Sequence, residues 1–242
     1  TRKSIKGIIA RVQLEEFSKG IILPHEFTLS KAKEDRLNLM KATNCNFSQI
    51  YALYMDEKHT TLATIDEQSK AKADLEFTDE TGVTHRLWIE TDEEIIAKLV
   101  ADFADRKLYI ADGHHRYETA LNYRNYCREN GISKPGDPQD FQMIYLVDME
   151  HPGLVVFPTH RLVRDLPNFD KEAVLEKCSE FFYIDEKEGT DTMEEDLKKL
   201  YDEGKKAFGF YCGKGEWFLL TLKNIDFMSQ MLPNVSKASQ SL

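Results

Sequence analysis

Residues 108–121 read LYIADGHHRYETAL. An apolar run, Leu108-Tyr109-Ile110-Ala111, meets an Asp-Gly pair, and a helix-like stretch at 117–130 follows, with Gly131 placed as its C′ residue. This predicts a strand that hands over to a helix through a tight turn at 112–116. The first amides of a helix lack intrahelical partners and carry partial positive charge. Gly113 permits a tight turn and close backbone approach. His114, His115 and Arg116 add side-chain donors, so the turn suits an anion, above all a phosphate. Arg116, at an exposed helix start, is expected to offer a forked contact and to carry little packing. The same residues also fit a purely structural role, with Asp112 as N-cap, Gly113 as turn former and the polar heads in solvent.

Two shorter motifs share this placement. Pro24-His25-Glu26 follows Ile21-Ile22-Leu23, and Pro158-Thr159-His160-Arg161 follows Leu154-Val155-Val156-Phe157. Four of the seven histidines therefore fall in three motifs, each directly after an expected strand. Neighbouring strands would bring the three to one sheet edge, making His25 and Thr159 further lining residues.

Around these motifs, strands are expected at 7–14, 50–55 and 142–147, and a hairpin within 72–90. Thr28 or Ser30 can cap a helix that runs to about 42, and the capping box Thr91-Asp92-Glu93-Glu94 opens another. A boundary near 151–153 separates a core domain, 1–150, from a smaller α+β subdomain, 151–242. The second part reads as a strand at 154–157, helices at 171–178 and 193–201, a strand at 181–184, a hairpin (AFGFYC, GKG, EWFLLTL) and a polar tail at 224–242. The fold class is α+β, with a mixed sheet built around the strand–turn–helix unit.

Composition narrows the function. The 242 residues are 41% hydrophobic and 31% charged, and no apolar run reaches the length of a membrane span. A net charge of −10 without a dense Lys/Arg run argues against nucleic-acid binding. Cys45, Cys127, Cys178 and Cys212 form no CxxC pair, which points to reduced thiols in a cytoplasmic protein. No GxxxxGK[ST], GxGxxG, HExxH or GxSxG pattern is present.

The three blocks DGHHRYETA, IILPHEFTLSKAKEDRLNLMKATNCNFSQIYALYMD (21–56) and FPTHRLV (157–163) occur in the order seen in an uncharacterised prokaryotic family called ParB-related, which this chain resembles over about residues 5–225. The turn is similar to the phosphate-contacting loop of the ParB/sulfiredoxin-like superfamily. That superfamily includes CTP-hydrolysing partition proteins, ATP-using sulfiredoxins and kinases of free serine. The resemblance implies a ParB/sulfiredoxin-like core that holds nucleotide phosphates at 112–116. The chain departs from sulfiredoxins in having no Cys in the turn, and from partition proteins in having no recognisable helix-turn-helix. Members of the family are usually longer at both ends, so the core domain is expected to be truncated at its N-terminus.

Together these features give a nucleotide- or phosphate-binding protein that carries out phosphoryl transfer or nucleotide hydrolysis, similar to a small-molecule kinase. Gly113, His114, His115, Arg116, His160 and Arg161 would bind phosphate. Glu26, Asp112 and His115 would be catalytic, and Asp112 and Glu26 would hold magnesium with a nucleotide. The partner is a small-molecule nucleotide or phosphorylated metabolite, with neither nucleic acid nor membrane, and the sequence leaves the oligomeric state open. The alternative is a non-catalytic, ParB-related regulatory protein.

Overall fold

In the computed structural model, residues 3–26, 28, 30–157 and 160–233 are described. The chain divides into two compact units, Thr1–Pro158 and Thr159–Leu242.

The first unit is built on a five-stranded mixed sheet in the order β1 (Ile8–Gln13), β7 (Phe141–Asp148), β3 (Ile50–Tyr54), β6 (Leu108–Asp112), β2 (Ile22–Leu23). β1 runs antiparallel to β7, β3 parallel to β7 and antiparallel to β6, and β2 parallel to β6. Two sheet ends result. β6, β2 and β1 finish at one, where β3 and β7 begin, and β3 and β7 finish at the other.

Alternation sets which face is buried. Ile50, Ala52 and Tyr54 of β3 share one face with Leu108 and Ile110 of β6 and with Ile144 and Leu146 of β7, and all are buried. Over them lies α4 (His114–Glu129), whose Tyr117, Ala120 and Leu121 complete the core. α4 also packs on α1 (Ser30–Thr43).

The buried stripe of α4 runs His114, Tyr117, Ala120, Leu121, Arg124, Cys127. It contains two basic residues, which is why apolar spacing alone starts the helix at 117 while the backbone starts it at His114. Arg124 is satisfied by the Leu14 carbonyl at 3.0 Å and the Glu16 carboxylate. At the far end, Gly131 (φ 67°) follows the helix, and the Gly131 and Ile132 amides donate to the Arg128 and Cys127 carbonyls at 3.2 and 2.8 Å, closing a Schellman turn.

The rest of this unit is α2 (Thr60–Gln68), the hairpin β4 (Leu75–Thr78) and β5 (Thr84–Leu87), and α3 (Glu93–Phe103). The side chain of Asp92 caps α3 by accepting from the Glu94 and Ile95 amides. The second unit has a three-stranded antiparallel sheet, β8 (Phe182–Lys187), β10 (Trp217–Leu222), β9 (Ala207–Tyr211), with helices α5 (Lys171–Ser179), α6 (Met193–Asp202) and α7 (Asp226–Met231).

α2 and α7 occur where no element was expected, and residues 234–242 of the expected polar tail lie outside the described residues. The expected strand at 154–157 does not form. After β7 the chain turns away from the sheet, with the His151 amide on the Asp148 carbonyl and the Leu154 amide on the His151 carbonyl. Val156 is 85% exposed. β-branched residues make a strand only where a pairing edge is offered.

Candidate functional site

The turn after β6 is held from within. Gly113 caps α4 at φ 100°, a conformation that L side chains rarely adopt. A Cβ there would lie 3.0 Å from the Arg116 guanidinium nitrogens. Arg116 therefore folds back over the glycine. It donates to the Asp112 carboxylate, to the Gln49 carbonyl and, at 2.9 Å, to Ser48 Oγ. Ser48 and Gln49 are within reach because β3 starts beside the end of its antiparallel neighbour β6, where Tyr51 pairs with Asp112. Only 22% of the Arg116 side chain is exposed. The expectation of an exposed arginine with little packing is corrected: its fork ties the turn to the entry of β3, and the Asp112 carboxylate sits against it.

His25 and Glu26 reach this turn because β2 is parallel to β6, Ile22 opposite Leu108 and Leu23 opposite Tyr109, so both strands deliver their following residues to one sheet end. The His25 and His114 rings meet edge to face, with centroids 4.4 Å apart. His25 Nδ1 lies 2.8 Å from the Ile110 carbonyl. A carbonyl only accepts, so Nδ1 carries the proton and Nε2 keeps the lone pair. The His25 amide donates to His114 Nε2 at 3.2 Å, which assigns the His114 proton to Nδ1, 3.9 Å from Glu26 Oε2. Burial holds the His114 imidazole below its ordinary pKa, and His25 adds to this; the Glu26 and Asp112 carboxylates work against it. His25 and Glu26 are exposed while His114 is buried, and one ligand atom from each lies within 4.8 Å of the others.

One turn into α4, Glu118 receives Lys33 Nζ at 2.6 Å and Thr28 Oγ1 at 2.7 Å. Burial alone would raise its pKa, but these two bonds and the Lys33 charge outweigh burial and lower it. His115, half-buried, lies within electrostatic range of Glu118 and His114. Thr28, Lys33 and Glu118 were not expected in the site; the hydroxyl of Thr28 serves Glu118, whereas the sequence offered it as a helix cap. Of the third motif, Pro158 and Thr159 lie outside the described residues, and His160 and Arg161 are exposed in the second unit. With no strand at 154–157, that motif does not share the strand-end placement that linked the other two.

The opposite sheet end carries a second polar group that the sequence reading passed over. Asp148, at the end of β7, is fully buried. It bonds His59 Nδ1 at 3.0 Å and accepts the Glu150 amide at 3.0 Å. His59 caps α2 at φ 50° with its Nε2 3.7 Å from Glu150. The bond to Asp148 raises the His59 pKa against the opposing pull of desolvation. Nearby, Asp56 accepts the Thr61 amide at 2.9 Å and pairs with Arg106 at 3.0 Å. The signal was in the sequence: Asp56-Glu57-Lys58-His59 and Asp148-Met149-Glu150-His151 are both D-x-x-H stretches that follow strands.

An α+β protein with a histidine pair at the end of a strand–turn–helix unit is the class that this geometry defines. The chain belongs to the DUF1015 family, proteins of unknown function, which matches residues 1–240. That description carries no relationship to ParB proteins. No curated protein and no solved structure matches the chain. No helix among the described residues is long and apolar enough to cross a membrane.

Proposed function

We propose that the chain binds the phosphate group of a nucleotide or phosphorylated metabolite at the 112–116 turn and catalyses phosphoryl transfer or hydrolysis there. One observation carries this reading. His25, exposed and locked by the Ile110 carbonyl into the tautomer with a basic Nε2, stands beside the start of a helix whose N-cap supplies no side-chain cap.

The first-turn amides and the helix dipole attract the phosphate oxyanions. His25 Nε2 takes the proton of the attacking water or hydroxyl, the role of a positioned imidazole near neutral pH. Glu26 and His114 Nδ1–H set the charge around it, and His115 lies next in line on α4. Arg116 keeps the turn closed against β3, a positioning role in place of a direct phosphate contact. The similarity of the turn to the ParB/sulfiredoxin-like phosphate loop supports the same reading.

The test is phosphate release from a panel of nucleoside triphosphates and phosphomonoesters, with and without divalent ions. Wild type should turn over at least one of them. His25→Ala should slow that turnover by roughly 10²–10⁴-fold, the range of general-base catalysis, with little change in melting temperature. No turnover across the panel, or turnover untouched by His25→Ala, overturns the catalytic reading. Ligand binding without turnover would favour the regulatory one.

A further inference from the structure

We propose that His25, Glu26 and His114 hold a first-row metal ion of the zinc or iron kind. This deepens the function proposed above by naming its cofactor class. It replaces magnesium on Asp112 and Glu26, and it replaces the base role of His25: with the Nε2 lone pair on the ion, the nucleophile would be a water activated by the metal. Its relevance to catalysis rests on that reading; the ion site itself rests on the residues.

Four observations support it. One ligand atom from each of the three side chains lies within 4.8 Å of the other two. The set is two imidazoles and one carboxylate, a combination that suits zinc and non-haem iron, whereas magnesium favours oxygen ligands in a near-ideal octahedron. The bond from His25 Nδ1–H to the Ile110 carbonyl is the outer bond that metal-ligating histidines make: it fixes the ring and leaves Nε2 for the ion. Asp112, one of the two carboxylates the sequence offered for magnesium, is paired with Arg116.

The closure needed is small. Metal–ligand bonds of about 2.0–2.2 Å require ligand atoms roughly 3–3.5 Å apart. His114 Nδ1 and Glu26 Oε2 start at 3.9 Å. Glu26, with its side chain 52% exposed, supplies the movement, while His114 is fixed in the buried stripe of α4. Coordination through His114 Nδ1 moves its proton to Nε2, so the 3.2 Å bond from the His25 amide is exchanged for a metal–nitrogen bond. One carboxylate and two neutral rings leave the ion with net positive charge and open positions. Water or a phosphate oxygen can occupy them beside the start of α4.

The experiment uses the chelator-stripped, untagged chain, with cobalt(II) as a spectroscopic probe and zinc followed by calorimetry. Binding of one cobalt per chain is expected, with visible d–d bands that zinc removes and millimolar magnesium does not. His25→Ala and Glu26→Gln, both at exposed positions, should each weaken zinc at least about tenfold with unchanged circular dichroism, and His59→Ala should not weaken it. The inference is overturned if no stoichiometric zinc or cobalt binds, or if both site variants bind as wild type does. Inorganic phosphate, titrated into metal-free and zinc-loaded wild type, separates the two readings. Phosphate binding with no metal binding removes the ion and leaves the phosphate site standing. Zinc binding lost in the two variants, with neither phosphate binding nor turnover, upholds the ion and removes the phosphate reading.

Discussion

The two ends of the five-stranded sheet each pair a histidine with a carboxylate, and the two histidines are driven in opposite directions. His114 sits in the buried stripe of α4 with its nearest carboxylate 3.9 Å away, and burial lowers its pKa. His59 is half exposed with a fully buried carboxylate at 3.0 Å, and that bond raises its pKa. The difference lies in which partner is buried. A buried ring beside an exposed acid stays neutral and can accept a hydrogen bond or bind a metal. A buried acid draws the charge onto an exposed ring, and the pair becomes a clamp. The first end therefore suits the proposed chemistry, and the second suits fastening.

Asp148 gives the largest effect that could break this contrast. Asp148→Ala removes two bonds from a buried carboxylate, one to the His59 ring and one to the Glu150 amide. It should lower unfolding free energy by about 3 kcal/mol, measured by urea denaturation. A loss below about 1 kcal/mol would remove the fastening role.

Arg116 comes next. Its guanidinium serves Asp112, Gln49 and Ser48. Arg116→Ala should therefore destabilise the chain by about 2 kcal/mol, and Arg116→Lys should recover only part, because an ammonium cannot span the same acceptors. His25→Ala at the same end should change stability by less than about 1 kcal/mol, as expected of an exposed side chain. Equal losses in these two variants would mean that His25 fastens its end as Arg116 does.

The smallest effect is the dependence on pH, with opposite signs at the two ends. His59, raised in the folded state, contributes stability that is fully present below its unfolded pKa of about 6.5 and is lost as pH rises through the folded value. His114, lowered in the folded state, is neutral there while the unfolded chain takes up its proton, so stability falls as pH drops below about 6.5 towards the folded value. Urea midpoints across this range should lose their alkaline decline in His59→Gln and part of their acid decline in His114→Gln. Parallel profiles for the two variants would erase the distinction.

Most of the strands and helices could be read from apolar runs, periodicity and punctuation, because β3, β6, the hairpin and α3 carry their own apolar runs, turn residues or caps. The meeting of His25 with the 112–116 turn was expected from motif placement alone, and the parallel pairing of β2 with β6 is its physical cause. Three things were hidden for different reasons. The start of α4 was obscured because its stripe begins with a histidine. The run 154–157 was misread because strand propensity says nothing about whether a partner edge is free. Arg116 looked exposed because its acceptors, Ser48 and Gln49, are 67 or 68 residues away in sequence. The two D-x-x-H stretches were visible, but their significance depends on β3 and β7 being parallel neighbours, with Tyr54 in register with Asp148.

β2 is only two residues long, and of its neighbourhood Ile22 is buried while Ile21 is exposed. The segment bearing His25 and Glu26 is thus pegged by one core side chain, a short ladder and the two bonds of His25 to the Ile110 carbonyl and the His114 ring. Such a peg can come out without the rest of the sheet opening, since local openings need far less free energy than global unfolding. Amide hydrogens at 21–23, 25 and 26 should then exchange well ahead of those in β3 and β6, and any ion or phosphate that bridges β2 and α4 should slow them. The core and the site are linked through Ile22, so an apolar position that touches no ligand sets how long the two histidines remain face to edge.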